Sequence, residues 1–201
     1  MAAIAKDRGW KPGTFVTEDF NYKKWVEVYG CDMLNSDIQL GKIHNIEPNL
    51  QTFFIRPLED SKYFNGKVTT KEEFLNWRKE YIMKYSGKID FESIEVIISP
   101  VNEVYSEYRC FVVDSKILAM SQYKSGSNVF LSDSIPVGCI EFVENRINQW
   151  CPSEAFVIDT CMTKEGYKIV EFNNYTSSGF YACDVVKIVE ALDKRGGGRE
   201  I

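Results

Sequence analysis

The stretch from Phe156 to Asn174 carries the side chains best suited to chemistry. Asp159 ends the apolar run Phe156-Val157-Ile158, and Glu171 and Asn173 alternate in the run Val170-Glu171-Phe172-Asn173. Lys164-Glu165-Gly166 between them has the composition of a three-residue hairpin loop, whose last position is left-handed and suits glycine. A hairpin centred on Glu165 places Asp159 opposite Glu171 and Ile158 opposite Phe172. Residues directly opposite one another, and residues two apart on one strand, project to the same side of a sheet. Asp159, Glu171 and Asn173 therefore share a face, while Phe156, Ile158, Val170 and Phe172 form a core surface on the other. Adjacent carboxylates repel unless a cation or a proton lies between them. Three hard oxygen donors suit magnesium, which takes one or two protein carboxylates and completes its shell with water and phosphate oxygens. Spacing alone leaves a second reading open, in which the two carboxylates are solvated strand residues paired with nearby lysines.

Other chemistry is poorly provided for. The six cysteines are spread along the chain without a C-x-x-C pair, and His44 is the only histidine, so neither a zinc site nor a Cys/His nucleophile pair can be assembled by spacing. Reduced thiols in a cytoplasmic protein are the expected state. A net charge of −5 argues against a surface devoted to nucleic acid. No run approaches the roughly 20 apolar residues of a membrane helix, and Met1 to Trp10 lacks a signal-peptide core. At 201 residues, 44% hydrophobic and 26% charged, the chain is long and apolar enough to bury a core as one domain or two small lobes.

The elements that must position the cluster are legible from Thr52 onward. Thr52 to Arg56 is β-rich and is expected to stop at Pro57. Thr70-Lys71-Glu72-Glu73 has capping-box spacing, and Phe74, Trp77, Tyr81 and Ile82 recur at helical intervals up to Tyr85. Ile94 to Ser99 reads as a strand broken at Pro100, and Val104–Val113 and Lys116–Tyr123 as a hairpin turning at Asp114-Ser115. Ser134 is placed to cap a helix with Val137, Ile140, Val143, Ile147 and Trp150 on one face, ended by Pro152. After the 155–174 hairpin, Val185, Ile188, Val189 and Leu192 mark a last helix, and Gly196-Gly197-Gly198 frees the tail. The hairpins are too frequent for a parallel sheet, which makes the class α+β. Residues 1–50 show no clean period.

These motifs, in this order, resemble the ATP-grasp superfamily. Asp159 followed by a hairpin and Glu171-Phe172-Asn173 is similar to its magnesium-binding end. Phe54-Ile55-Arg56-Pro57 resembles its strand ending in a basic residue, and Tyr105-Ser106-Glu107-Tyr108-Arg109 its hinge strand with E-x-R. Arg56-Pro57, Asp60 to Gly66 and Ser177 to Tyr181 are most like a phage and bacterial clade with arginine in place of the usual lysine. The resemblance runs from about Thr52 to Leu192. It implies a two-lobe architecture of antiparallel sheets with flanking helices: residues 1–51 a partial lead-in lobe, 52–195 the ATP-grasp domain, 196–201 a flexible tail. Relatives begin with a strand-helix-strand unit before a segment like Arg8 to Gly13, so part of the lead-in lobe is expected to be missing. The loop after Pro57, with Glu59 and Asp60 and one glycine, is not a glycine-rich phosphate cradle.

The resemblance also implies roles. An ATP tail carries about four negative charges, so cations are needed beside magnesium. Arg56 and Lys62 are the candidates near one strand end, and Ser99 and Val101 in the Ile98 to Val101 hinge would offer backbone groups to adenine. Glu107 and Arg109 share a strand face, from which Arg109 would reach a phosphate or a substrate carboxylate; an exposed ion pair within the strand is the competing reading. Tyr123 and Lys124 are weaker candidates. The implied reaction is ATP-dependent activation of a carboxylate, small-molecule or peptide, as an acyl phosphate that an amine or similar nucleophile attacks, with Arg109 catalytic, ATP and Mg2+ required, and no nucleic acid or membrane partner. Two alternatives stand beside it: a nucleotide-binding remnant without ligase activity, and a phage structural or host-interaction protein on an unrelated α+β scaffold.

Overall fold

The structure, a computed structural model, is described for residues 7–8, 10, 19–58 and 63–195. Its elements in chain order are α1 (Tyr22–Tyr29), β1 (Gln39–Lys42), β2 (Thr52–Pro57), β3 (Lys67–Thr70), α2 (Lys71–Tyr85), β4 (Glu95–Ser99), β5 (Ser106–Val113), β6 (Lys116–Ser125), β7 (Asn128–Ser132), α3 (Val137–Gln149), β8 (Ala155–Thr163), β9 (Gly166–Asn173) and α4 (Val185–Arg195). The fold is α+β with antiparallel sheets, as the hairpin count implies. Two compact units form, one of Asn35–Asn102 and one of Met1–Leu34 with Glu103–Ile201.

In the Asn35–Asn102 unit the strands lie in the order β1-β4-β2-β3. Phe53, Ile55, Val96 and Ile98 alternate along β2 and β4 and pack with Ile43, Ile46 and Phe74 of α2 into one core. The expected capping box starts α2: Thr70 Oγ1 accepts from the Glu73 amide at 3.3 Å, and Glu73 Oε2 accepts from the Thr70 amide at 3.0 Å. Arg56 and Ile97 pair across β2 and β4, and Pro57 pairs with Val96. The strand thus continues through the proline instead of stopping before it. Pro57 lies beyond the end of β3, whose pairing covers only Thr52 to Ile55, so no neighbouring carbonyl misses its absent N–H.

In the other unit the order is β7-β6-β5-β8-β9. One face carries Phe111, Val113, Ala155 and Val157, covered by Ile188 and Leu192 of α4 together with Trp10, Tyr175 and Cys183. On the other face Phe172 meets Trp25, Tyr29, Trp150 and Phe156 at ring separations of 5.1 to 6.4 Å. Cys139 of α3 touches Thr160 on the same side. Asp114 and Ser115, with φ of 48° and 57°, make the expected two-residue turn between β5 and β6.

Three expectations here are corrected. The cap of α3 is not Ser134: the preceding residue is Pro136, without a side-chain bond, and the Ser134 amide instead donates to Ser132 Oγ at 3.1 Å. Residues 128–132 form an edge strand, β7, that the sequence reading omitted. The β8–β9 loop has two residues rather than three, because Thr163 pairs with Gly166, whose φ is +104°. A register shift between Asp159 and Thr160 leaves Val170 as an extra, half-buried residue, so that Ile169, not Val170, joins the core face. The edge beyond β9 is closed by the Leu34 amide donating to the Ile169 carbonyl at 2.8 Å. The Gly196–Gly198 tail lies outside the described residues. Among the described residues no helix is long and apolar enough to cross a membrane.

Candidate functional site

The site face is the one α4 covers, at the point where its apolar pattern stops. Along β8 the inward residues run Ala155, Val157, Asp159, and along β5 they run Val113, Phe111, Arg109, Glu107, so the core gives way to charge on both strands. Arg109 pairs with Asp159 across β5–β8, and Asp159 with Glu171 across β8–β9. Ser121 on β6 lies opposite Arg109. One row therefore crosses four strands as Ser121, Arg109, Asp159 and Glu171.

The expected face-sharing of Asp159, Glu171 and Asn173 is reproduced. Asn173 Nδ2 donates to Glu171 Oε1 at 2.8 Å. What the sequence did not reveal is the use of Asp159. Arg109 clasps it with both arms of its fork, Nε donating to Oδ1 at 2.8 Å and Nη2 to Oδ2 at 2.6 Å. Asp159 is 1% and Arg109 8% exposed, which makes this a buried, bidentate pair. Burial pushes the Asp159 carboxyl up, to about 6, against the downward pull of Arg109. The guanidinium is held charged by Asp159 against the cost of its own burial. The competing reading of a Glu107–Arg109 pair is not realised: Glu107 accepts from Tyr123 Oη at 2.6 Å and from Lys124 Nζ at 2.7 Å.

Segment 174–183, which leads from β9 to α4, lies over this row. The Gly179 carbonyl accepts from Arg109 Nη1 at 3.2 Å, and the Ala182 amide donates to Ser121 Oγ at 3.1 Å. Tyr181 adopts a φ of +52°, rare for a residue with a Cβ. That turn stacks its ring on Tyr123 at 4.8 Å, and the Arg109 guanidinium carbon lies 5.0 Å from the Tyr181 ring centre and 5.6 Å from that of Tyr123. Tyr123 and Lys124, weak candidates by sequence, thus hold the second carboxylate of the site. Tyr181 escaped as a site residue because a positive φ at tyrosine has no signature in sequence.

The donor chemistry fits magnesium. Glu171 keeps its second oxygen and Asn173 its amide oxygen without a donor among the described residues, and a carboxylate oxygen of Asp159 has a lone pair to spare beyond its bond to Arg109. The set is two carboxylates and an amide; among the described residues no three His, Cys, Asp or Glu side chains gather into a metal-holding group. The cysteines are unpaired thiols. Burial raises Cys139 to about 11 and Cys161 to about 12, so both stay protonated near neutrality and neither is a ready nucleophile.

In the Asn35–Asn102 unit, Arg56 is half-buried on β2, Val101 is 48% exposed, and Ser99 is fully buried at the end of β4 with no hydrogen-bond partner for its Oγ. Lys62 lies outside the described residues.

Comparison with known proteins identifies the pattern. A family model described as an ATP-grasp domain, family 2 of its clade, matches residues 34–191. No curated protein matches the chain. Among solved structures, D-alanine–D-alanine ligase from Bacillus anthracis superposes with a TM-score of 0.56 at 13% identity over 87% of this chain. The ATP-grasp ligase PsnB, solved with a minimal precursor, does so with 0.60 at 10% over 88%, and an L-amino acid ligase from Bacillus licheniformis with 0.56 at 8% over 88%. At such identities the likeness is one of fold. The chain spans 65%, 60% and 48% of the lengths of these three proteins.

Proposed function

Since this chain belongs to that family of ATP-grasp domains, we propose that it is an ATP- and magnesium-dependent ligase that activates a carboxylate for attack by an amine or similar nucleophile. The observation that carries the reading is the row Arg109, Asp159, Glu171, with Asn173 bonded to Glu171. It joins two acids, a neutral oxygen donor and a fixed guanidinium on one sheet face.

Glu171, Asn173 and Asp159 would hold magnesium, whose contribution when bound is to neutralise phosphate charge. Arg56 and Lys62 would add cations for the phosphates, with Arg56 in the position where most relatives have lysine. Ser99 and Val101 would present backbone groups to adenine, and the unpartnered Ser99 hydroxyl supports a polar ligand there. The terminal phosphoryl group passes from ATP to the carboxylate, releasing ADP, and the nucleophile then displaces phosphate. Positioning and charge stabilisation suffice for both steps. Arg109 would steady the transferring group, and Glu107 keeps Tyr123 and Lys124 in place around it. The substrate class is a small-molecule or peptide carboxylate. The relatives solved with a peptide precursor and as amino-acid ligases support that breadth, and the expected setting is the cytoplasm.

Titration of the full chain with ATP, with and without magnesium, tests this directly. Magnesium-dependent binding is expected, lost in the D159N/E171Q double variant, with ADP released only when a carboxylate substrate is present. Absence of binding at every magnesium concentration refutes the proposal, and binding without any carboxylate-dependent ADP release refutes its ligase part.

A further inference from the structure

We infer that Arg109 is a tethered counter-ion for Asp159 which a divalent cation displaces, so that metal binding and release of the guanidinium toward the nucleotide are one exchange; this rests on the reading of Asp159, Glu171 and Asn173 as the magnesium ligands.

The geometry argues it as follows. Each Asp159 oxygen accepts one Arg109 hydrogen bond, at 2.8 and 2.6 Å, and the carboxylate is 1% exposed. A buried carboxylate stripped of water needs a cation at all times, since an uncompensated buried charge is costly. Without metal the guanidinium supplies that charge. A divalent ion at the same oxygens brings two more positive charges within a few ångströms of the guanidinium. Only Glu171 is added to offset them, because Glu107 is already engaged by Lys124 at 2.7 Å. The two cations repel, and the fork is the partner that can move.

Arg109 has somewhere to go. Nη1 already reaches the Gly179 carbonyl at 3.2 Å, and the guanidinium lies against the Tyr123 and Tyr181 rings, at 5.6 and 5.0 Å. Rings at that distance retain a cation after its carboxylate is taken. The left-handed Tyr181 turn, held by the Ala182 amide on Ser121 Oγ, keeps this second berth in place. The displaced guanidinium stays at the site with its inner edge free, the arrangement a phosphate needs. Metal affinity is consequently weakened by the resident arginine, and occupancy by metal arms the residue that meets the nucleotide.

Two measurements on the full chain test the exchange. In Arg109→Lys a cation remains but the fork is lost, so Mn2+ binding followed by electron paramagnetic resonance at neutral pH is expected to tighten by about tenfold, the scale on which neighbours of metal ligands tune affinity. In wild-type protein, Mg2+ alone is expected to shift the Arg109 Nε–H resonance and to speed its exchange with water, a readout that needs no variant should R109K fail to fold. Saturable Mn2+ binding that is lost in E171Q yet equal or weaker in R109K, or an Arg109 resonance indifferent to saturating Mg2+, overturns the exchange and leaves the metal site standing. Absence of Mn2+ binding to every form overturns both.

Discussion

Asp159 has given up its hydration shell, and only one guanidinium stands between it and an uncompensated charge. That balance makes its protonation a stability term. The carboxyl is raised in the folded state to about 6, from an ordinary value of 3.8. The folded chain then binds the proton more tightly than the unfolded chain does, and stability falls as pH rises between the two values. Asp159 should therefore contribute most below about pH 4 and lose that contribution as pH passes through 6, by at most about 3 kcal/mol. Asp159→Asn cannot titrate, so wild-type protein should lose melting temperature relative to D159N between pH 4 and pH 7; parallel pH profiles would show that Arg109 fully offsets the burial. The identity of this residue and its partner Glu171 was readable from alternation. The arginine that holds it was read as a phosphate ligand, since E-x-R on one strand says nothing about which acid lies on the next.

The elements show how a correct register can arise from a wrong turn. The sequence favoured a three-residue loop with Gly166 at its end, whereas the loop has two residues and Gly166 opens β9 with a positive φ. One residue of offset is then recovered at Val170, the bulge between the loop and the site. The two differences cancel, so Asp159 still faces Glu171, while Val170 leaves the core face to Ile169. Bulges leave no periodic trace, and here the cost of missing one fell on a core residue and not on the site. Capping chemistry, by contrast, is local enough to read. Thr70 and Glu73 satisfy one another's amides as their spacing predicts, whereas Ser134 lost its cap to an edge strand that its neighbours form. Thr70→Ala should cost about 1 kcal/mol of stability, measured by denaturant midpoint, with an unchanged slope. A loss below a few tenths would mean that the amides of that helix start find other partners.

At the scale of the whole chain, the division into units was the least legible feature, because one unit is continuous in sequence and the other is not. Residues 35–102 close on themselves when β1, from the unpatterned first 50 residues, pairs with β4. Residues 33–34 leave that segment for the edge of β9. Such pairings join short, weakly patterned runs to partners tens of residues away, and nothing in a local window announces them. Each unit nevertheless has its own cluster of buried side chains, and the two clusters share no residue. Phe74 is fully buried in one of them, packed edge-on against Phe53 at 5.8 Å between ring centres. Phe74→Ala removes that packing and should cost about 3–5 kcal/mol. If each core supports its own sheet, hydrogen exchange should speed first at the amides of β2 and β4, while those of β5 and β8, which carry Arg109 and Asp159, remain protected to the global limit. Equal loss of protection in both sheets would instead show that the cores melt as one cooperative body. The site row would then owe its rigidity to the whole chain and not to the five-stranded sheet that bears it.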